Sequence, residues 1–478
     1  MNKPPAASRT RPTRRKGAEH GNRRLPLNAP EIHGATSAPS PAIQRNVVAA
    51  LIGNALEWYD FIIYGFMAQV IATVFFPSDG NRYVSLLLTT AVFGAGFVMR
   101  PVGGILLGIY ADKRGRKPAL QMIMYLMSAA ILMITFAPPY AAIGIGAPVI
   151  ILIARLLQGA ATGGEFASAT SFLTELAPPG KKGFYASWQF FGQFLAVLVG
   201  SSMAALLNRS LTPESLESWG WRVAFLAGLA IAPVAIWMRR HLEETPVFLE
   251  AEQQAPTQAF TESLKSNYRG ILVSFLLNVP GTAVFYVVLV NMPGYVSKQF
   301  GIPADQSFTI QMIAVLWLVI LTPTIGWFSD KVSKRAFLTF AYGGLLLSIY
   351  PMMQWLGESP STARLLVMQI VLCTFHAIVC GVLAPAMAEQ LPVRVRSTGM
   401  TIGYNLAVMV FGGFAPFTLV WLTQATGSSF APAFYLMVCA PIGLLGCAFM
   451  KGRKRDAHRL SAANEHTESQ TNRHAVSK

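Results

Sequence analysis

The chain has 478 residues, of which 53% are apolar and 13% are charged, and its formal net charge is +16. Because a soluble domain averages about 25% charged residues, this composition and a mean hydropathy of +0.45 favour a helical membrane protein. The positive charge does not indicate nucleic-acid binding, because the basic residues lie in tails and short loops and form no binding face. The four cysteines lie inside apolar segments without metal-ligand spacing, so we expect no disulfide framework, no metal site and no cofactor.

The first 43 residues are rich in Pro, Arg, Ala and Ser and lack the apolar core of a signal peptide, which predicts a disordered basic arm. Residues 451–478 are predicted to form a second polar tail. Between the two lie twelve apolar segments, each long enough to cross a bilayer. They are predicted at 46–76, 83–108, 118–137, 147–176, 183–208, 219–239, 269–297, 306–328, 336–356, 363–389, 395–424 and 430–450. We expect kinks at the prolines within them, such as Pro101, Pro233, Pro280, Pro323, Pro385 and Pro416.

Loop charge predicts the orientation of these segments. Lys and Arg are concentrated in the N-terminal arm, in alternate loops and in the C-terminal tail, whereas the opposite loops carry few of them. The positive-inside rule therefore places both termini in the cytoplasm. The polar stretch 240–268 is predicted to be a cytoplasmic linker between two six-helix halves, at 44–239 and 269–450.

A short charged motif occurs once in each half. Gly108 is followed four residues later by Asp112 and a basic cluster, and Gly326 is followed in the same way by Asp330. Gly lets two helices approach closely, and the basic residues hold the loop on the cytoplasmic side. Such internal duplication is typical of secondary transporters.

A second motif is also duplicated: Glu175 precedes Pro178 by three residues, and Glu389 precedes Pro392 by three. Basic residues follow both prolines, so each glutamate can pair with a loop cation. We expect charged residues of the two motifs to switch the conformation at the inner gate rather than contact a ligand. They are Asp112, Arg116, Glu175, Asp330, Lys334 and Glu389.

These loop motifs resemble those of the major facilitator superfamily, and further motifs resemble its metabolite–proton symporter branch. The further motifs are Asn54-Ala-Leu-Glu57-Trp58-Tyr59-Asp60-Phe61-x-x-Tyr64-Gly65, Met99-Arg100-Pro101-x-Gly103-Gly104, Arg155-Leu-Leu-Gln158-Gly159, Gly163-Gly164-Glu165, Trp219-Gly-Trp221-Arg222 and Leu242-Glu243-Glu244-Thr245-Pro246. The resemblance covers roughly residues 44 to 450. It implies an all-α membrane protein with twelve transmembrane helices in two pseudo-symmetric six-helix halves. It also implies proton-coupled transport of citrate, tricarballylate, 2-oxoglutarate, shikimate, proline or betaine. Ser333 departs from the family pattern, which more often has Gly there.

Ionisable side chains inside a bilayer cost several kcal/mol unless they are paired or hydrated, so each is a functional candidate. Glu57, Asp60, Arg100 and Arg155 are expected to face one central cavity. We predict proton coupling by Glu57, Asp60, Arg155 and Glu165; the resemblance also links Arg155 to this role. The alternative for the two helix-1 carboxylates and for Arg155 is a fixed ion pair, and Glu165 fits a gate or a structural pair equally well.

The predicted substrate contacts are Arg100, Gln158, Gln189, Gln193, Tyr404 and Asn405. The two glutamines rank first among the uncharged residues, because they lie four residues apart near the middle of the fifth segment. The other polar candidates are Asn278, Tyr286, Asn291, Gln311 and His376, of which His376 is expected to be a packing residue. Gly159, Gly163 and Gly164 are predicted to form a close-packing face.

The sequence therefore predicts a proton-driven symporter of a small, citrate-like organic acid in the inner membrane, working by alternating access as a monomer. The alternative is an osmolyte symporter, whose quaternary amine would bind the aromatic faces of Trp58, Tyr59 and Tyr64. An enzyme is not expected, because no nucleophile or metal cluster is apparent, and Gly180-Lys181-Lys182 does not form a nucleotide-binding loop. The expected partners are the acid, protons and the lipid bilayer.

Overall fold

The computed structural model describes residues 54–55, 57–77, 81–114, 116–163, 170, 173, 177–178, 180–229, 266–392 and 396–450. The structure does not describe the side chains of residues 108–109, 111–114, 116–121 and 397. The predicted arm, the C-terminal tail and most of the linker are also outside the described residues. Every regular element of the described residues is a helix, which confirms the all-α prediction.

The described part of the chain has one helix at each of the twelve predicted segments. The first six are α1 (Glu57–Phe66 and Ala68–Phe75), α2 (Arg82–Arg114), α3 (Arg116–Thr135), α4 (Gly146–Ala161), α5 (Lys182–Ser210) and α6 (221–229). The last six are α7 (Tyr268–Phe300), α8 (Ala304–Ser329), α9 (Lys334–Glu358), α10 (Thr362–Glu389), α11 (Thr398–Thr426) and α12 (Ala431–Phe449). Eight of the described helices are long and apolar enough to span a membrane, and α1 makes a ninth when its two pieces count as one span.

The fourth predicted segment, 147–176, is interrupted by a turn. The α-helix ends at Ala161, Thr162 and Gly163 form the turn, and Thr170 and Leu173 are helical again. The hydroxyl of Thr162 donates to the carbonyl of Gly159, and the carbonyl of Gly163 accepts a hydrogen bond from the side chain of Asn405 in α11. Glycine-rich sequence favours helix only weakly, so this contact with another helix decides the local conformation.

The sharpest bend among the described helices is not at a proline. The two pieces of α1 meet at Met67 with an angle of 67°. Beyond the bend, the amide nitrogen of Gln69 donates to the carbonyl of Gly294 in α7, over 2.9 Å. The predicted kink sites Pro101, Pro280, Pro323 and Pro385 lie inside helices that continue past them, and the kinks there stay predictions. Pro416 lies at the start of the last α-helical piece of α11, and Pro233 is outside the described residues.

Two helices of the C-terminal half widen near their middle. Phe285–Asn291 of α7 and Val408–Gly413 of α11 are π-helical. Single turns of this kind inside α-helices occur frequently at functional sites.

Glycines bring α2 and α4 into close contact. A β-carbon at Gly103 would overlap the backbone of Ala160, and one at Gly159 would overlap the backbone of Gly96. A β-carbon at Gly163 would likewise meet the backbone of Arg100. The predicted close-packing role of Gly159 and Gly163 is therefore confirmed, while Gly164 lies outside the described residues.

Candidate functional site

Two arginines of the N-terminal half lie buried beside the same aromatic ring. Arg100 of α2 is 3% exposed and Arg155 of α4 is fully buried. The ring of Phe61 lies 4.9 Å from the guanidinium carbon of Arg100 and 4.7 Å from that of Arg155. The close packing of α2 on α4 places these two like charges together, and the aromatic ring that both contact offsets part of their desolvation.

Arg100 lies within a cluster of aromatic side chains on α1 and α2. Its guanidinium carbon is 5.5 Å from the ring centroid of Trp58 and 4.5 Å from that of Phe97. Its Nε is buried and has no hydrogen-bond partner among the described residues. The hydroxyl of Tyr404, in α11, lies next to this guanidinium and next to the amide of Gln193. Arg100 thus joins α2 to residues of both halves.

Arg155 is oriented by a residue one turn further along α4. Its Nη1 donates to Oε1 of Gln158 over 2.7 Å, and the rings of Tyr64 and Phe93 lie 4.7 and 4.8 Å from its guanidinium carbon. Its Nε and Nη2 are buried and have no partner among the described residues. These two nitrogens form one edge of the planar guanidinium, and that edge matches a carboxylate in bidentate geometry.

Asp60 lies near both α6 and Arg155. Its carboxylate contacts the backbone at Gly228 of α6, and the neighbouring Tyr59 hydroxyl donates to the carbonyl of Ala224 over 2.7 Å. Its cationic neighbour is Arg155. Two residues along a helix are about 200° apart, so Asp60 lies on the α6 side of α1 while Trp58 packs on Phe285 of α7. That Asp60 faces a central cavity stays a prediction.

The remaining charged candidates are seen only in part. Glu57 is half-buried on α1. Glu165 and Glu175 lie outside the described residues, and the side chains of Asp112 and Arg116 lie outside the description of α2 and α3. Their predicted roles stay predictions.

The two glutamines of α5 lie on its buried face, as their spacing predicted. Gln189 and Gln193 are each 2% exposed, and their side-chain nitrogens have no partner among the described residues. The backbone carbonyl of Gln189 accepts a hydrogen bond from Asn54 of α1. The two side-chain nitrogens are thus available to a ligand, while the hydroxyl of Tyr404 lies next to the amide of Gln193.

Asn405 makes a contact between the halves instead. Its amide nitrogen donates to the carbonyl of Gly163 over 2.6 Å. This residue, predicted to bind substrate, thus joins the inner part of α11 to the end of α4 in this conformation. The structure gives no support to a ligand role for its amide nitrogen.

The C-terminal half contributes His and amide side chains. His376 of α10 is buried, with its ring centroid 5.6 Å from that of Phe194 and its Nε2 3.5 Å from the thiol of Cys380. Two turns nearer the start of α10, Gln369 donates to Oε1 of Gln311 over 3.0 Å. The sequence analysis missed Gln369, although a lone amide inside an apolar segment was the available signal.

One contact between the halves, here called the inner contact, lies at the end of the bundle that is predicted to face the cytoplasm, and it is formed by Asp330. Its two carboxylate oxygens accept hydrogen bonds from the backbone amides of Gly183 and Phe184, over 2.8 and 3.2 Å. A carboxylate at the first turn of α5 also complements the helix dipole. Nearby, Gly326 lets α8 pack directly on Ser187. In α9 and α10, Lys334 and Glu389 form an ion pair of 2.8 Å.

The contact at the opposite end of the bundle, here called the outer contact, is less polar. Gln69 of α1 reaches Gly294 of α7, and the rings of Phe66 and Phe308 meet edge to face with centroids 5.2 Å apart. The buried arginines therefore lie between an inner and an outer contact of the two halves.

Within the described part of the chain, no cluster of three His, Cys, Asp or Glu side chains could hold a metal ion. The chemistry that this arrangement supports is anion binding between the halves.

Comparisons with known proteins agree with this geometry. A family model described as Major Facilitator Superfamily matches residues 50–416. The chain is 36% identical over 398 residues to a citrate-proton symporter of Salmonella typhi, covering 83% of this chain and 92% of that protein. It is 30% identical over 423 residues to a proline/betaine transporter of Salmonella typhimurium, covering 86% and 83% of the two proteins.

A crystal structure of a D-xylose-proton symporter shares the fold, with a TM-score of 0.68 over 85% of this chain and 97% of that one, at 18% identity. The family model covers well over half of the chain, and the helix order, duplicated motifs and buried charges are consistent with it. The chain belongs to the major facilitator superfamily of multi-pass membrane transporters.

Proposed function

We propose that this protein is a proton-coupled symporter of a small organic acid with more than one carboxylate, such as citrate or 2-oxoglutarate. The observation that carries the proposal is the unpaired Nε–Nη2 edge of Arg155, buried beside Arg100. Buried N–H groups without acceptors are unfavourable, so a bound carboxylate would supply the two missing hydrogen-bond acceptors on this edge. Two guanidiniums at one site suit a substrate with two carboxylates.

The carboxylates of α1 support coupling to protons. Asp60 is the acidic neighbour of Arg155, so it competes with a substrate carboxylate for the same cation. Protonation of Asp60 removes that competition, and loss of the proton on the other side of the membrane restores it. Substrate and proton then bind together and leave together. Glu57, one helical turn away, is a second proton acceptor in this scheme, and Glu165 a third.

The aromatic residues argue against the osmolyte alternative. Trp58 and Tyr64 already have a guanidinium against their rings, and the hydroxyl of Tyr59 is bonded to α6. These rings are therefore poorly placed to bind a quaternary amine. The similarity to the citrate-proton symporter also favours an acid, while that to the proline/betaine transporter keeps the osmolyte as the second candidate.

Alternating access follows from the two contacts between the halves. Rocking of residues 44–239 against 269–450 would open the contact at Asp330 while the contact at Gln69 stays closed, and then the reverse. The pair Lys334–Glu389 would hold α9 to α10 during this motion. In this arrangement the protein works as a monomer in the inner membrane, with both termini and the linker 240–268 in the cytoplasm.

The test is proton uptake by proteoliposomes that contain the purified protein. Citrate, 2-oxoglutarate, shikimate and betaine are added one at a time, with protein-free vesicles as the control. External alkalinisation on addition of citrate or 2-oxoglutarate is the expected result. A response to betaine alone would transfer the assignment to osmolyte transport, and no response to any of the four would contradict the proposal.

A further inference from the structure

Tyr286 places an unpaired hydroxyl from the C-terminal half beside the arginines of the N-terminal half. The residue is 1% exposed, and its hydroxyl has no hydrogen-bond partner among the described residues. Buried tyrosine hydroxyls usually have a partner. Its ring packs edge to face on Phe97 and Phe93 of α2, with centroids 5.4 and 6.0 Å away. The side chain therefore crosses from α7 to the surface of the opposite half.

The surroundings of this hydroxyl are those of the proposed acid site. The charged groups that act on Tyr286 are Arg100 and Arg155, and the hydroxyl of Tyr404 is its other polar neighbour. Arg100 and Arg155 would each take a carboxylate of the substrate. The hydroxyl of Tyr286 can then bind a neutral or anionic group of the substrate that lies between those two carboxylates.

Two irregular helical segments accommodate this one side chain. Tyr286 is the second residue of the π-helical segment of α7, and Gly412 lies in the π-helical segment of α11. A β-carbon at Gly412 would come within 2.7 Å of two ring carbons of Tyr286. Both departures from α-helical geometry therefore meet at this ring, which agrees with a functional rather than a filling role.

We propose that the hydroxyl of Tyr286 binds the substituent that the substrate carries between its terminal carboxylates: a hydroxyl, a carbonyl or a further carboxylate. This inference rests on the proposed function and narrows it to substituted five-carbon diacids. The substrate would then contact both halves at once, because the arginines belong to one half and Tyr286 to the other. A site built to bind a polar group discriminates against the analogue that lacks it.

Glutarate provides the matched probe, since citrate and 2-oxoglutarate are both substituted forms of the same five-carbon diacid. Wild-type protein is first assayed in proteoliposomes for exchange of labelled citrate and labelled 2-oxoglutarate. Competition by unlabelled citrate, 2-oxoglutarate and glutarate is then measured for wild type, Tyr286→Phe and Tyr435→Phe. Tyr435→Phe is the control, because it removes a hydroxyl that donates to the carbonyl of Phe411.

We expect Tyr286→Phe to weaken competition by the transported acid about 10-fold, because the variant loses one hydrogen bond to a polar or charged group. Competition by glutarate should change less than about twofold, because glutarate lacks that group. Tyr435→Phe should behave like wild type for all three acids. Equal weakening of competition by all three acids, or no weakening of competition by any of them, would overturn the inference while leaving the proposed function intact. Failure of wild type to exchange either labelled acid would overturn both.

A second variant keeps the inference testable if Tyr286→Phe folds poorly. Gly412→Ala keeps the hydroxyl but crowds the ring of Tyr286, so it should also lower the preference for the transported acid over glutarate. Wild-type preference in Gly412→Ala together with wild-type preference in Tyr286→Phe would overturn the inference. Because the readout is a ratio of two competitors on one protein preparation, the amount of folded protein cancels.

Discussion

The two halves bury different kinds of polar group. Among the described residues, the N-terminal half buries Asp60, Arg100 and Arg155, whereas the C-terminal half buries no Asp, Glu, Lys or Arg, and its buried polar groups include the pair Gln311 and Gln369. Charge inside a membrane is expensive and is kept where it acts on a ligand or an ion. The N-terminal half is therefore suited to hold the anion and the proton, and the C-terminal half to check shape and hydrogen bonding.

The largest expected effect comes from the N-terminal cation. Arg155→Gln removes both N–H groups of the unpaired edge, each worth about 1.5–3 kcal/mol to a charged partner, so acid uptake should fall at least about 100-fold. Uptake of labelled citrate by proteoliposomes measures it. Arg222→Gln is the control, because this arginine is bonded to the carbonyls of Ser218 and Ala137 near the start of α6. Loss of less than about threefold would remove Arg155 from the site.

The carboxylates of α1 should affect coupling more than binding. Asp60→Asn cannot release a proton, so uphill accumulation of the acid driven by a pH gradient should be lost while exchange of internal for external acid continues. Glu57→Gln is expected to do the same if the second carboxylate also carries the proton. Accumulation and exchange are measured on the same vesicles. Normal accumulation in either variant would exclude that residue from coupling.

A smaller effect is expected at the inner contact between the halves. Asp330→Asn removes the charge that caps α5, which is worth about 1–2 kcal/mol at a helix N-terminus. States closed to the cytoplasm then lose population, so the apparent affinity for external acid should fall about 5- to 10-fold. Lys331→Gln is the neighbouring control, since its ammonium lies over the ring of Trp327. An unchanged KM for external acid would show that the cap does not control access.

The smallest effect on transport is expected from the neutral pair of the C-terminal half. Gln369→Leu leaves the amide of Gln311 unpaired, which should lower the free energy of unfolding by about 1–3 kcal/mol while KM changes less than about threefold. Adding Gln311→Leu should restore most of the stability, because replacing both polar partners is nearly neutral. Thermal unfolding in detergent and citrate uptake test this. A transport defect as large as that of Arg155→Gln would remove the distinction between the halves.

Patterns along the chain predicted most of the fold, because apolar length and loop charge are properties of each segment alone. The same holds for Gln189 and Gln193, whose spacing on one helix fixes their shared face. The contact of Asp60 with Gly228 could not be predicted in this way, since it depends on how α1 is rotated about its axis against α6. Neither could the hydrogen bond from Asn405 to Gly163, because it joins segments far apart in the chain.

The irregular backbone segments could not be predicted from the sequence either. The bend of α1 and the two π-helical segments of the C-terminal half have no proline at their centre, so residue type gave no signal. In each case the nearby contact is with another helix: Gln69 with Gly294, or Gly412 with Tyr286. Tertiary packing, rather than local preference, shapes these turns.

Phe61 has a consequence for the range of compounds that such a carrier accepts. The centroid of its ring lies 4.9 Å from the guanidinium carbon of Arg100 and 4.7 Å from that of Arg155, so one hydrocarbon side chain contacts both cations. The distance between two cationic anchors sets the length of diacid that can reach both. The size of the Phe61 side chain therefore helps to set where the two guanidiniums lie. Changes of ring size at this position offer a route to carriers, or to inhibitors, matched to shorter or longer acids.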